Sequence, residues 1–404
     1  MPTVLVILPT ATYRAPDFVG AADELRLDLV VASEEPHALG DLMGERFLVI
    51  DCADVGAAAD AIVELADRVP LDAIVAADDQ GVVVAAVAAE RLGLPHNPPA
   101  AARATRDKAV MRGLLAAANV PQPRFEVLEG ADPAGISIGF PCVVKPLTLS
   151  GSRGVIRADD PASLERAVAR VRAIQAEAGE GIEAPLLVEE YLPGIEVVVE
   201  GLVGPDGVEV LAIFDKPEPM EGPFFEETIL VTPSRLGPPM EDEITSVVRR
   251  AVEALGVSFG PVHAEVRVEG DRVGVIEIAA RSIGGLCSRA LRFGLLGTSL
   301  EHLLLRAALG MPPRAMRRES RASGVMMLPI PAEGVLRRVG WQGAAMEVPG
   351  ITALEITVPI GQRVRPLPEG DRYLGFLFAA GDDPDDVAAA LREAHGLLQI
   401  VIEP

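Results

Sequence analysis

Four short apolar runs, VLVIL, LDLVVAS, FLVID and LDAIVAADD, recur within residues 1–79, with helix-like stretches such as DFVGAADELR and DVGAAADAIVELADRV interleaved. Strand, helix, strand at this spacing means a parallel sheet with helices on its faces, because parallel neighbours need a long crossover connection. An alanine-rich helix ending at LGLP and the proline-broken NPPAAARATRDK close this first α/β unit, expected over residues 1–104.

From about residue 125 the texture changes. PCVVKP, LLVEEYL, EVVVEGLV, VEVLAIFD and HAEVRVEGDRVGVIEIAAR read as strands joined by glycine turns, the pattern of an antiparallel sheet. The chain is therefore α/β and then α+β. A central domain is expected over 105–310, with a lid subdomain at about 115–190, a helix at 299–310, and a last segment over 311–404 that ends on the helix DDVAAALREAHG.

Charge narrows the partners. The chain carries 36 basic and 59 acidic residues, a net of −23, which repels nucleic-acid backbones and anionic lipid. A phosphate-bearing ligand must be held by a local basic pocket. No apolar run approaches the ~18 residues that span a bilayer, and MPTVLVILPT lacks the basic flank and cleavage site of a signal peptide. Cys52, Cys142 and Cys287 are widely spaced with no CxxC pair, so reduced thiols in a cytoplasmic protein are expected and a zinc site is not.

In PVHAEVRVEGDRVGVIEIAARSIGG (261–285), Val262, Ala264, Val266 and Val268 alternate with His263, Glu265 and Arg267. A three-residue loop, Gly270–Arg272, sets Glu269 opposite Val273 and Glu265 opposite Glu277. Strict alternation then puts Ile276, Ile278 and Ala280 on one face, and Val275, Glu277, Ala279 and Arg281 on the other. Directly opposed carboxylates, with Cβ atoms ~4.5–5.5 Å apart, repel unless a cation sits between them. One or two carboxylates together with substrate phosphates are how proteins hold Mg²⁺. For the pair alone, a hairpin whose glutamates face water is the competing reading.

FPCVVKPLTLSGSRGV puts Lys145 at a strand end, followed by a Gly/Ser-rich loop, Ser150–Gly154, whose N–H groups suit phosphate oxygens and whose glycines allow it to move as a lid. No GxxxxGK[ST] occurs, so this is not a Walker A motif. Lys108 starts a helix in TRDKAVMR. In PLLVEEYLPGIEVVVEG a strand stops at Glu189-Glu190-Tyr191-Leu192 and restarts after Pro193-Gly194, freeing backbone groups that can read a purine edge, and Glu196 lies within reach of ribose hydroxyls. Taken singly, the EEYLPG break reads better as an acidic turn and Lys108 as a solvated surface lysine, whereas Lys145 just ahead of the loop weakens the reading of that loop as a flexible surface turn. GVSFG (256–260) matches GxSxG, but a helix precedes it and a strand follows, the reverse of a nucleophile elbow.

In order along residues 100–310, these parts resemble the ATP-grasp superfamily. The resemblance implies an N-terminal parallel-sheet (pre-ATP-grasp, Rossmann-like) domain followed by an ATP-grasp fold, with ATP and Mg²⁺ or Mn²⁺ as cofactors. By resemblance, Lys108 and Lys145 bind phosphates under a lid of Ser150, Gly151, Ser152 and Gly154; Glu189 and the Glu190, Tyr191 and Leu192 backbone hold adenine, and Glu196 holds ribose. Glu265 and Glu277 take the metal, Lys145 and Arg281 act catalytically, and His263, Arg281, Ser282, Gly284 and Gly285 face substrate. Many members carry Asn where this chain has Ala279, so water or phosphate must fill that ligand position, as in relatives that join amino acids.

DKPEPMEGPFFEETILVTPSRL (215–236) and the C-terminal segment look like carboxylate–amine ligases that include bacterial L-amino acid ligases. There a glutamate at the position of Glu227 meets the substrate's amino group; a histidine found three positions later in some dipeptide-forming members is Leu230 here. The implied activity is ATP-dependent amide formation through an acyl phosphate, releasing ADP and phosphate. Small carboxylate and amine substrates, amino acids first, are the expected partners, and a homodimer is allowed. The alternatives are a ligase of a purine or other biosynthetic carboxylate, and a nucleotide-binding regulator with a decayed site.

Overall fold

The computed structural model describes residues 1–10, 12–36, 43–130, 132–311 and 317–404. The first unit is a parallel sheet of β1 (Thr3–Ile7), β2 (Asp28–Ser33), β3 (Phe47–Val49) and β4 (Ala73–Ala76), in the order β3-β2-β1-β4. Apolar runs this continuous fit a sheet covered on both faces. Val4 and Val6 pack towards Phe18 and the helix Leu300–Ala308, whereas Leu5 and Ile7 pack against the helices Val55–Ala66 and Val82–Leu92. The contact with the helix Leu300–Ala308 is the long-range one, and it anchors the first unit on the centre of the molecule.

Arg14 ties the same junction. It is wholly buried, donating to Glu301 at 2.7 Å, to Ser282 Oγ at 2.8 Å and to the Ala77 carbonyl at 3.0 Å. Breaking a buried ion pair strands the remaining charge, at a cost of about 3–5 kcal/mol. Arg14→Met is therefore expected to lower the urea midpoint sharply, and Arg14→Met/Glu301→Gln to recover a large part of the loss. A single variant as stable as wild type would show that Glu301 finds another partner.

The segment expected as a lid subdomain at about 115–190 holds an antiparallel sheet of β5 (Phe125–Leu128), β6 (Cys142–Pro146), β7 (Ile156–Ala158) and β8 (Leu186–Glu190), ordered β5-β8-β6-β7. Cys142, Val144, Leu186 and Val188 face the helix Pro161–Glu177, so Val143, Lys145 and Glu189 face the other way. That helix starts in a capping box made by Asp160 and Ser163.

The central sheet has eight strands: β9 (Ile195–Gly204), β10 (Gly207–Asp215), β11 (Ile229–Thr232), β12 (Gly260–Glu269), β13 (Arg272–Ala279), β14 (Ala322–Leu328), β16 (Ile351–Ile356) and β18 (Gly375–Gly381), ordered β13-β12-β9-β10-β11-β14-β18-β16. Three of its strands thus come from beyond residue 311. The short β15 (Gly334–Gly340), β17 (Arg363–Val364) and β19 (Gln399–Glu403) form a separate sheet, β17-β15-β19. Along β9, Val197 and Val199 enter a core under the helix Pro238–Ala254, while Val198 and Leu202 enter the core shared with the first unit. Glu196 and Glu200 lie on the Val198 side, beside Arg267, Glu265 and His263 of β12.

Two expectations about the hairpin are corrected. The turn has two residues, Gly270 (φ 62°) and Asp271, so Glu269 pairs with Arg272. A bulge at Ile276 then shifts the register by one, and this shift is what brings Glu265 opposite Glu277. Because of the bulge, Val275 joins Val273 in the core and Ile276 turns to the opposite side. The helix expected at 299–310 spans Leu300–Ala308 behind a Ser299 cap. Among the described residues no helix is long and apolar enough to cross a membrane.

Candidate active site

Between the β5-β8-β6-β7 sheet and the central sheet lies a cleft of about 860 Å³, and a second of about 1150 Å³ adjoins it towards the first unit. Six residues, Ser150, Gly151, Glu227, His263, Glu265 and Arg281, line both.

The apolar end of the first cleft is walled by Val143, Val155, Leu192, Met220, Phe225 and Ile276. Tyr191 stacks on Phe225 at 6.4 Å between centroids, and Arg267 lies 5.1 Å over the Tyr191 ring. The strand break that exposes the Glu190–Leu192 backbone is set by Gly194 (φ 101°), where a Cβ would fall 2.2 Å from the Val268 carbonyl oxygen. Only glycine passes there.

At the polar end, Glu189 is buried between Arg112 and Lys145, each at 2.6 Å. Burial alone would raise its pKa, but those two cations outweigh it and hold the carboxyl at about 2. Arg112 also donates to the Ile276 carbonyl at 2.6 Å, which anchors the bulge. Lys108 lies 3.3 Å from Glu277 and donates to the Leu149 carbonyl at 2.8 Å, placing it beside the Ser150–Gly151–Ser152 loop. Gly154 is not in the cleft wall: its N–H donates to the Pro368 carbonyl at 3.0 Å and its Cα faces Pro146.

Glu196, Glu227 and Glu265 converge, with carboxylate oxygens within 4.8 Å of one another. Lys216, just beyond β10, fills the centre: its Nζ lies 2.6 Å from Glu196, contacts Glu227, and is 3.7 Å from Glu265. Burial disfavours the ammonium, yet the three carboxylates push its pKa well above the ordinary lysine value. Burial raises Glu227, with Lys216 opposing, whereas Lys216 and His263 overcome burial at Glu265 and lower it. Oxygen donors of this kind suit a hard divalent ion.

His263 Nδ1 contacts the buried Glu200, and its Nε2 is 3.7 Å from Glu265. Burial lowers the imidazole's pKa, but Glu200 outweighs it and lifts it to about 9, so a cation faces the cleft. Arg281 pairs with Asp79 of the first unit at 3.0 Å; Asp79 also meets Arg106 at 3.2 Å, and these arginines override burial to hold it at about 2.

The second cleft is lined by Tyr13, Leu230, Met327, Tyr373 and Phe376, with Asp78, Arg281 and Arg372 among its charged groups. Gly284 and Gly285 are in its wall; at Gly285 (φ 58°) a Cβ would lie 2.8 Å from the Phe376 ring. Ser282 is not: it is buried, accepting from Arg14. The remaining expected residues, Lys108, Lys145, Ser150, Gly151, Ser152, Glu189, Glu190, Tyr191, Leu192, Glu196, Glu227, His263, Glu265, Glu277 and Arg281, all line one cleft or both. Lys216, Arg112, Arg267, Glu200 and Asp79 were not singled out by sequence. For Asp79 a signal existed, an acidic pair at the carboxyl end of a parallel strand, where such sheets bind ligands.

Comparison with known proteins adds the following. A model described as the ATP-grasp domain matches residues 138–290, one of the ATP-grasp N-terminal domain matches 19–96, and one of L-amino acid ligase C-terminal domain 2 matches 326–403. Alanine–anticapsin ligase of Bacillus subtilis is 32% identical over 243 residues, covering 55% of this chain and 51% of that protein, so the chain spans about half the length of the first curated relatives it matches. Formate-dependent phosphoribosylglycinamide formyltransferase of Shewanella frigidimarina is 26% identical over 364 residues, 87% of this chain and 85% of that one. The crystal structure of an L-amino acid ligase from Bacillus licheniformis superposes with a TM-score of 0.86 at 25% identity, over 100% of this chain and 99% of that one.

Proposed function

Because the chain belongs to the ATP-grasp superfamily, we propose that it is an ATP-dependent carboxylate–amine ligase that joins L-amino acids, using the first cleft for ATP and the second for its amino-acid substrates. The observation that carries this reading is the shared wall: Arg281, His263, Glu265 and Glu227 border both clefts, so a carboxylate in the second can meet the γ-phosphate in the first.

In this reading the substrate carboxylate attacks the γ-phosphorus, ADP leaves, and an acyl phosphate remains; the amine then attacks the acyl carbon and phosphate departs. Positioning and charge supply the acceleration. Lys108 and Lys145 hold phosphate oxygens, with Lys145 aimed by Glu189. Glu196 takes the ribose hydroxyls, and the Glu190–Leu192 backbone the adenine edge. Glu265 and Glu277 fit a divalent ion, Mg²⁺ or Mn²⁺, which when bound offsets phosphate charge. Arg281 faces the transferred phosphoryl group and then the tetrahedral oxyanion. Glu227, in contact with Lys216, receives the amino group.

A purine-type phosphorylated substrate would need unpaired arginines in the second cleft. Of the arginines that line the cleft, Arg281 is paired with Asp79 at 3.0 Å and Arg372 with Asp371 at 2.8 Å; Arg289 is spent on Asp17 and Glu355, Arg292 donates to the Leu291 carbonyl, and neither of these two lines the cleft. That supports amino acids over the purine alternative.

The test is an ATP-dependent phosphate-release screen over pairs of L-amino acids, with ADP measured in parallel. Phosphate release with at least one pair is expected. If every pair fails while another acid works, the amino-acid assignment falls and the ligase mechanism stands. If no acid supports release, a nucleotide-binding regulator becomes the better account.

A further inference from the structure

The three carboxylates Glu196, Glu227 and Glu265 raise a difficulty for any two-cation chemistry in the first cleft. Oxygens within 4.8 Å of one another from three acids are a ready donor set for a divalent ion. An ion bound by all three would occupy Glu196 and Glu227, and neither would then be free for ribose or for an amine. The structure answers with Lys216. Its side chain is 2% exposed, and its ammonium has three N–H donors, which are directed at Glu196 (2.6 Å), at Glu227, and towards Glu265 (3.7 Å).

The rest of the cluster is arranged around that one charge. Arg267 takes the other oxygen of Glu196 at 2.9 Å and the Leu192 carbonyl at 2.7 Å, and His263 faces Glu265 at 3.7 Å. Three basic side chains thus face the three acids, and of these Lys216 is the one that approaches all three. The backbone holds Lys216 in place: the neighbouring Asp215 accepts from Ser234 Oγ at 2.6 Å and from the Arg235 backbone and Nε at 3.0 and 2.9 Å, and the Lys216 N–H donates to the Glu196 carbonyl at 3.2 Å.

We propose that Lys216 is a built-in cation that keeps divalent ions out of the Glu196–Glu227–Glu265 cluster in the nucleotide-free protein. Glu265 is thereby left for the metal that arrives with ATP, and Glu196 and Glu227 for organic ligands. Lys216 is a positioning residue on this account: it acts through the three acids and forms no bond with substrate. The proposal rests on the reading of Glu265 as a metal ligand, but its test needs no turnover.

The experiment titrates the nucleotide-free full chain with Mn²⁺, following the free ion by its paramagnetic resonance signal, in wild type, K216M, K216Q and K216R. Removing the ammonium is expected to create one Mn²⁺ site about tenfold or more tighter than any in wild type, a difference of about 1.4 kcal/mol. K216R, which keeps the charge, is expected to titrate like wild type, and K216M/E227Q to lose the gained site. If K216M or K216Q proves unstable, Mn²⁺ is expected to restore its melting midpoint; failure to restore it overturns the proposal. A folded K216M or K216Q that binds Mn²⁺ no more tightly than wild type overturns it as well. Adding a non-hydrolysable ATP analogue separates the two readings: if the analogue fails to tighten Mn²⁺ binding in wild type, the ATP-metal assignment fails, even where the K216M gain is intact.

Discussion

Glu277→Gln is expected to lower kcat by about a thousandfold, close to 4 kcal/mol of transition-state stabilisation, with the melting midpoint near that of wild type. The size follows from what the substitution removes. Gln preserves the shape and one acceptor but deletes the charge, and of the two acids aligned across β12 and β13 only Glu277 stands outside the Lys216 cluster. The small structural cost follows from its surroundings. Glu277 is 27% exposed and, among the described residues, its one ion pair is with Lys108 at 3.3 Å; Lys108 keeps the Leu149 carbonyl when the pair is lost. No charge is stranded in a dry interior. Steady-state phosphate release reads kcat, and a Mn²⁺ titration in the presence of an ATP analogue reads the metal affinity directly. A variant with wild-type kcat would remove Glu277 from the mechanism. Glu265→Gln is a poorer probe, because Glu265 also balances Lys216 and His263.

How much of this was legible beforehand depends on how local the cause is. The first sheet was legible because β1 is buried on both faces, and burial on both faces leaves an unbroken apolar run. Lys108 and Lys145 were legible as cations at element ends beside a glycine-rich loop. In the acidic hairpin two departures from strict alternation cancel. The alternation pattern implies a three-residue turn where two residues suffice, and the bulge at Ile276 adds the missing residue back. Nothing within the hairpin announces that bulge. It is held by Arg112, a side chain on the helix Lys108–Ala117, far away in sequence. Lys216 was hidden for the same reason: its partners lie at 196, 227 and 265, and only the folded sheet brings them together. Ser282 and Gly154 show the converse. Each sits beside a cleft-lining residue in sequence, and packing turns it elsewhere, to Arg14 in one case and to Pro368 in the other. GVSFG was correctly set aside, since the Ser258 and Phe259 N–H groups are taken by Asn97 between a helix and β12.

Arg281→Met is expected to lower kcat by about a hundred- to a thousandfold while changing the KM for ATP by no more than about threefold, because in the proposed mechanism the guanidinium meets charge that develops during reaction, beyond what ground-state nucleotide binding presents. Its position supports that division. It lines both clefts, with a side chain 13% exposed, and is fixed by Asp79 at 3.0 Å and the Ser282 carbonyl at 2.9 Å, so it is already oriented before substrate arrives. The pair with Asp79 pushes Arg281 above the ordinary arginine value despite burial, so the charge is present at every working pH. Removing it does not orphan Asp79, which retains Arg106 at 3.2 Å. The melting midpoint is therefore expected to fall far less than in Arg14→Met, where Glu301 loses its partner inside the core. Arg281→Lys separates charge from shape: an ammonium restores the field but not the planar fork, and recovery of roughly tenfold out of the full loss is expected. The acyl phosphate of the proposed mechanism is the species hydroxylamine would trap, and the trapped product should fall in parallel with kcat if Arg281 serves the phosphoryl transfer itself. Full trapping with slow amide formation would confine Arg281 to the second step, and wild-type rates in both would place the reacting groups away from the wall the two clefts share.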